Sequence, residues 1–325
     1  MHTLRRDDWP LPLMGPSAAT ARARAAFEAA AGSAAPALII ADRGLDADAI
    51  ARALHEGSRP RQPLVVIDCS SADADVDSVI FGKLPRQVTQ AEVEAVGSRS
   101  ALLRAKGGTL YLKQILELPA ATQRRLARVL RDREVATGGR RVAVRARVLA
   151  EGPASIASDV GDGQLRSDLF RRLSQVCITV PSLRERPDDI PAIAESIAAR
   201  LCGGRPPSFT QAALTVLAAP AWPGNLDELR SVLERVLSAA PEGAIRQEDV
   251  LAHLPIDGAF ARIAPHVSLR EARRQFEREY IASVLERHRW RMSEAARTLG
   301  IERANLYRKT RQLGIMRRTS TRVAS

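Results

Sequence analysis

The chain has 325 residues, of which 45% are hydrophobic, enough for two or three domains with a substantial core. Charged residues make up 26%, which excludes a disordered chain, and aromatics only 4%, which argues against an aromatic-rich binder of single-stranded RNA. Basic residues outnumber acidic ones 49 to 37, for a net charge of +12, and only Lys83, Lys106, Lys113 and Lys309 are lysines. The excess is therefore arginine, whose planar fork suits phosphate. GC-rich coding also enriches Arg and Ala, so the placement of the charge matters more than its sum.

Residues 1–14 read as a tail or a short docking segment. Pro16–Ala31 is an Ala-rich helix, and Ala37–Ile40, following Pro36, is a short buried strand. A helix at Asp46–His55 and a strand at Leu64–Ile67 follow, then a strand at Gly108–Leu112 and an amphipathic helix at Ala120–Arg131. Val142–Leu149 alternates as a strand does, and Cys177–Val180 closes the series. Strands alternating with helices imply a parallel α/β sheet. From Pro187 the strands stop, and Asp189–Leu201, Thr210–Ala219, Asn225–Ala239 and Gln247–His253 form a small helical region. Pro255–Pro265 reads as a linker. Ser268–His288 is one long helix, two shorter ones follow, and Met316–Ser325 is a basic tail. Cys69, Cys177 and Cys202 have neither metal spacing nor a disulfide pattern and are expected as buried thiols. No apolar run reaches 18 residues, and the first residues lack the apolar stretch of a signal peptide, so no membrane association is expected.

The C-terminal segment carries the clearest chemistry. Met292–Leu299 is a short helix with Ser293 as N-cap, and Gly300 ends it. Glu302 opens a second helix that Gly314 closes. Leu306, Thr310 and Leu313 face inward, which leaves Arg303, Asn305, Tyr307, Arg308, Lys309 and Arg311 outside. A short helix, a Gly turn and a basic second helix make a helix-turn-helix, whose second helix enters the major groove of DNA. Arg pairs there with guanine or phosphate, and Asn with adenine.

This segment resembles the Fis-type DNA-binding domain of bacterial enhancer-binding proteins. The resemblance implies DNA contacts from Arg303, Asn305 and Arg308, and phosphate contacts from Arg291, Ser293 and Lys309. It also implies dimerisation through the preceding helix, where Ala272, Phe276, Tyr280, Val284 and Leu285 form a stripe. The stripe alone also fits an intramolecular core.

Residues 15–255 resemble the AAA+ domain of the sigma-54-dependent activators. The landmarks are Phe81-Gly82, GGTLYL at 107–112, ELP at 117–119, LRSDLFRRL at 165–173, VPSLRERPDDIP at 180–191 and WPGNLDEL at 222–229. No receiver domain is expected before them. The site motifs depart from the family. The phosphate-binding loop pattern GESGTGKE falls on Ala41–Asp48, where Gly44 alone of three glycines remains and Ala47 takes the Lys position. Such a loop needs glycines so that backbone N–H groups wrap phosphate, and a Lys to reach it. Lys113 and Gln114 stand where two acidic residues bind Mg²⁺, an ion that takes oxygen ligands. A sensor Asn aligns near Gly152-Pro153, and the second sensor Arg falls on Asp227. Arg166 and Arg172 match the family's arginine fingers and are expected as salt-bridge partners. The sigma-54-contacting GAFTGA loop is absent. Residues 83–100 stand in its place, either as plain surface or as a new partner surface.

These observations predict an α/β AAA+-like parallel sheet core with a helical lid, followed by an all-α Fis-type helix-turn-helix domain. The expected boundaries are a tail at 1–14, an α/β domain at 15–186, a lid at 187–255, a linker at 256–267 and the DNA-binding domain at 268–325. The expected function is sequence-specific regulation of transcription, acting independently of ATP hydrolysis and of sigma-54. The alternative is an ATP-dependent sigma-54 activator with atypical motifs. The chain is expected not to be an enzyme and to use no cofactor and no metal. Its degenerate nucleotide site is Gly44, Ala47, Lys113, Gln114 and Asp227. Expected partners are double-stranded DNA, further copies of the chain as a homodimer or higher oligomer, and RNA polymerase, in the cytoplasm with the nucleoid.

Overall fold

The computed structural model describes residues 10–71, 75–82, 93–203, 207–239, 243–254, 281, 285, 292–298 and 303–313. The chain divides into two compact units, Met1–His253 and Leu254–Ser325.

In the first unit five strands form one sheet: β1 (Ala37–Ile40), β2 (Leu64–Asp68), β4 (Thr109–Lys113), β7 (Arg147–Gly152) and β8 (Val176–Thr179). Their order is β2-β4-β7-β1-β8, and every pairing is parallel. Central strands of such sheets are covered on both faces and read as continuous apolar runs. Accordingly Ala37, Leu38 and Ile39, and Val148, Leu149 and Ala150, are fully buried. The intervening helices include α1 (Ala18–Ala31), α2 (Ala47–Ser58), α3 (Val76–Phe81), α4 (Ala101–Arg104), α5 (Ala120–Asp132), α6 (Ile156–Gly161) and α7 (Ser167–Leu173). Helix α5 is amphipathic and buries Leu126, Val129 and Leu130.

The alternating stretch expected as one strand at Val142–Leu149 is divided. Its first residues belong to β6 (Arg140–Ala143), which pairs antiparallel with β5 (Glu134–Thr137), its last to β7, and residues 144–146 turn the corner between them. Gly138 and Gly139 make the turn with φ of +55° and +77°, the backbone that a tight hairpin of right-handed twist requires. β5 also pairs with β3 (Glu94–Ala95), and Val96 is buried beside it. Part of the segment after Phe81-Gly82 is therefore sheet and core, whereas residues 83–92 lie outside the described residues.

The lid comprises α8 (Ile190–Leu201), α9 (Gln211–Ala218), α10 (Asn225–Ala239) and α11 (Gln247–Leu251). The motif at 180–191 clamps the N-terminal segment to it. Buried Asp189 accepts from Ser17 N (2.6 Å), Ser17 Oγ (2.7 Å) and Thr20 Oγ1 (2.6 Å). Arg186 donates to Pro12 O at 2.6 Å. Leu11 and Leu13 are consequently buried.

Among the cysteines, Cys69 is buried as expected, and burial pushes its thiol up to about 12. Cys177 and Cys202 are exposed, which corrects the expectation of buried thiols. Cys177 sits at an outward position of β8, whose sheet-edge placement leaves one face open.

In the second unit, helices Met292–Thr298 and Arg303–Gln312 pack through Ala295, Ala296, Leu306 and Leu313 onto helical residues Ile281 and Leu285. Among the described residues, no helix is long and apolar enough to cross a membrane.

Candidate functional site: a carboxylate-rich pocket and a basic helix face

Loops at the carboxyl ends of β1, β4 and β7 meet the start of α10 around a cavity of about 720 Å³. In parallel α/β sheets, ligands bind at this end. The five positions expected as a degenerate nucleotide site, Gly44, Ala47, Lys113, Gln114 and Asp227, all line it.

The loop after β1 is held from two sides. Asn225 donates from Nδ2 to Arg43 O (2.9 Å) and accepts at Oδ1 from Leu183 N (3.0 Å). Gly44 has φ +79°, and a Cβ there would lie 2.1 Å from Gly224 O. Its lack of a side chain thus serves close packing against the lid turn. Asp46 caps α2 by accepting from Ala49 N at 3.2 Å.

The pocket's ionic chemistry is internal. Lys113 Nζ, at the end of β4, donates to Asp48 Oδ2 at 3.1 Å. Tyr111 OH donates its single hydrogen between Glu151 Oε2 (2.6 Å) and Asp48 Oδ1 (3.2 Å). Burial, with Asp48 and Asp68 nearby, raises the Glu151 carboxyl above its ordinary range, although Tyr111 and Lys113 pull it down. Burial followed by the Glu151 charge raises the Tyr111 phenol. Burial pulls Lys113 down, but the Asp48 hydrogen bond and the surrounding carboxylates prevail and hold its ammonium above the ordinary value. Six carboxylates, Asp42, Asp46, Asp48, Glu117, Glu151 and Asp227, line the cavity against three cations, Arg43, Lys113 and Arg230. This donor set does not fit a magnesium nucleotide in the manner that the family resemblance implies. Lys113 stands where the resemblance expects a metal-binding carboxylate, and the excess charge lining the cavity is negative. Among the described residues, no group of three or more His, Cys, Asp or Glu has metal-binding geometry.

Sequence reasoning missed Tyr111, Glu151 and Arg230. Glu151 was detectable as a charge that ends an apolar strand at the functional end of the sheet. Arg230 lies about one turn beyond Asp227 on α10 and lines the same cavity. Arg166, expected as a salt-bridge partner, pairs with Asp168 at 2.9 Å. Arg172 lines a separate concavity beside Arg124, Arg128 and Arg166.

On the second helix of the C-terminal unit, Arg303 and Arg308 are exposed, Asn305 and Lys309 half-buried, and Tyr307 51% exposed. Arg308 Nη2 donates to Asn305 Oδ1 at 2.9 Å, and the Arg303 guanidinium lies 5.7 Å from the Tyr307 ring centre. Ser293 is exposed on the first helix. Leu306, Thr310 and Leu313 are buried, as the spacing predicts. Arg291 and four stripe positions, Ala272, Phe276, Tyr280 and Val284, lie outside the described residues, and Leu285 is buried.

Three family models match the chain: the sigma-54 interaction domain over residues 13–179, the AAA+ ATPase lid domain over 184–259, and the bacterial regulatory protein, Fis family, over 272–313. The response regulator protein PilR of Pseudomonas aeruginosa is 35% identical over 87% of this chain and 65% of its own length. The nitrogen assimilation regulatory protein NtrX of Azorhizobium caulinodans is 32% identical over 94% of this chain and 70% of its own. The chain thus spans about two thirds of the length of these curated relatives. The crystal structure of NtrX from Brucella abortus in complex with ADP has a TM-score of 0.61 at 30% identity, covering 95% of this chain and 70% of that one. The same protein in complex with ATP gives 0.60 at 31%, covering 96% and 71%. These matches correct the expectation that the chain is not an enzyme. Its first unit matches the sigma-54 interaction domain and AAA+ ATPase lid models, and the crystal structures of a similar protein, Brucella NtrX, are complexes with ADP and with ATP.

Proposed function

The chain belongs to the family of sigma-54-dependent transcription regulators, and from that premise we propose that it regulates transcription by sequence-specific binding of duplex DNA, with an output set by DNA occupancy rather than by ATP turnover or by sigma-54. Arg303, Asn305 and Arg308 read bases, and Ser293, Lys309 and Arg291 hold phosphates. The chain acts as a homodimer or higher oligomer and meets RNA polymerase at the promoter. The observation that carries the reading is the Lys113–Asp48 pair, which commits the pocket's central cation to a carboxylate of the chain itself.

The nucleotide complexes of Brucella NtrX favour a second reading, an ATP-dependent sigma-54 activator with atypical motifs. In that reading Arg43, Lys113 and Arg230 meet the phosphates, and Lys113 must first leave Asp48. Measuring site occupancy and transcription with ATP, with a non-hydrolysable analogue and without nucleotide separates the two. The first reading expects one result in all three conditions. Occupancy or output that requires hydrolysable ATP supports the second.

A further inference from the structure

The first unit is electrically polarised along its strands. The carboxyl ends hold the acidic pocket, and the amino ends hold a basic face. Arg59 Nη1 donates at 2.7 Å to Gly108 O, immediately before β4. Arg147 N, at the start of β7, donates to the same carbonyl at 2.9 Å. A Cβ at Gly107 would lie 3.7 Å from Arg145 Cβ, so exposed Arg145 and exposed Lys106 flank this corner. Val144 N donates to Arg133 O at 2.8 Å, which places exposed Arg133 alongside. The face continues into the β5–β6 hairpin, where all four residues of β6, including Arg140 and Arg141, are exposed. The acidic residues nearest in sequence are Glu56, Asp132 and Glu134, and Asp132 is already paired with Arg131 at 2.7 Å, so they are too few to neutralise it. Burial, and then the charge of Arg133, lower the Arg59 guanidinium, as two like charges held close require.

We propose that this face, centred on Arg133, Arg140, Arg141 and Arg145, is a second DNA-contacting surface that grips duplex phosphates without reading sequence. Exposed guanidiniums spread from the Gly108 corner along the hairpin suit an extended polyanion better than a small ligand. The proposal rests on the reading of the chain as a DNA-binding regulator, which supplies the polyanion. In this scheme the helix-turn-helix selects the site, and the hairpin face adds salt-dependent affinity.

The test measures binding of the full-length chain to a specific duplex and to a random duplex across a salt series. R133A/R140A/R141A/R145A should reduce the slope of log affinity against log salt by about 0.9 for each phosphate that the variant no longer neutralises. With all four engaged, raising salt from about 50 to about 200 mM should cost the parent about 150-fold more affinity than the variant. The lysine version, R133K/R140K/R141K/R145K, should keep the parent slope and thereby separates charge from folding. R303A/R308A should lose site preference while keeping salt-dependent binding to random DNA. An unchanged slope in the alanine variant overturns the proposal, whether or not the variant aggregates through its bared edge strand. So does an unchanged slope joined to altered self-association without DNA, which would assign the face to an acidic protein surface. Site preference that survives R303A/R308A refutes the helix-turn-helix reading instead.

Discussion

Replacing Lys113 with Met removes the cation at the centre of the pocket and keeps the volume of its stem. At 3.1 Å the Lys113–Asp48 attraction is about 5 kcal/mol in an effective dielectric near 20. The two side chains are 27% and 37% exposed, so screening and side-chain ordering leave about 1 kcal/mol net. The substitution also leaves Glu151 facing Asp48 and Asp68 without Lys113, which adds to the loss. K113M should therefore lose about 1–2 kcal/mol, or about 2–8 °C in the melting of a unit this size. The loss should depend on pH. The Glu151 carboxyl is raised in the fold, so its contribution is fully present below the ordinary carboxylate pKa and is lost as pH rises through the folded value. Lys113 pulls that value down, and without it Glu151 resists ionisation more strongly. The deficit of K113M should grow as pH rises above the ordinary carboxylate pKa, read by urea unfolding at each pH. A D48N/K113M double-mutant cycle should give a coupling near 1 kcal/mol. A pH-independent deficit with no coupling would refute this account of the pocket.

Other substitutions probe separate parts. E151Q removes a charge that burial and the neighbouring carboxylates disfavour, so its melting temperature at neutral pH should match or exceed the parent's. A clear drop would place the ionised form in the folded state. G44A meets both a left-handed backbone and the Gly224 carbonyl, and should lose at least about 1–2 kcal/mol in thermal unfolding. N225A orphans Leu183 N and Arg43 O, at about 1–3 kcal/mol each, and hydrogen exchange should rise at both segments. R303A and R308A should each lower the preference for a specific site about 5- to 150-fold by competition binding if that residue reads a base. R317A should weaken binding only evenly across sequences.

The sheet was legible because its strands are short apolar runs bounded by Pro, Gly or charge. Ala37–Ile40 and Leu64–Ile67 needed little or no adjustment. The hairpin was not, because Val142, Val144 and Val148 continue one alternation through the corner between β6 and β7. Only the Gly138-Gly139 pair marks the change of direction. In the pocket, motif spacing brought together five residues distant in sequence. It could not show that Asp48 and Lys113 would pair, since partner choice depends on how α2 meets β4. Tyr111 escaped notice because its ring reads as core, and only its hydroxyl reaches the two carboxylates. The recognition helix was the easiest to read: a helical period fixes which side chains face out.

On the proposed reading, output follows DNA occupancy and does not depend on ATP turnover. Permanganate footprinting on a promoter carrying a site mapped by genome-wide occupancy tests it most directly, with sigma-54 polymerase, the full chain, and either ATP or a non-hydrolysable analogue. The account predicts the same occupancy with both nucleotides and no melted bubble that depends on ATP. A bubble that forms with ATP, fails with the analogue and disappears in K113M would contradict it.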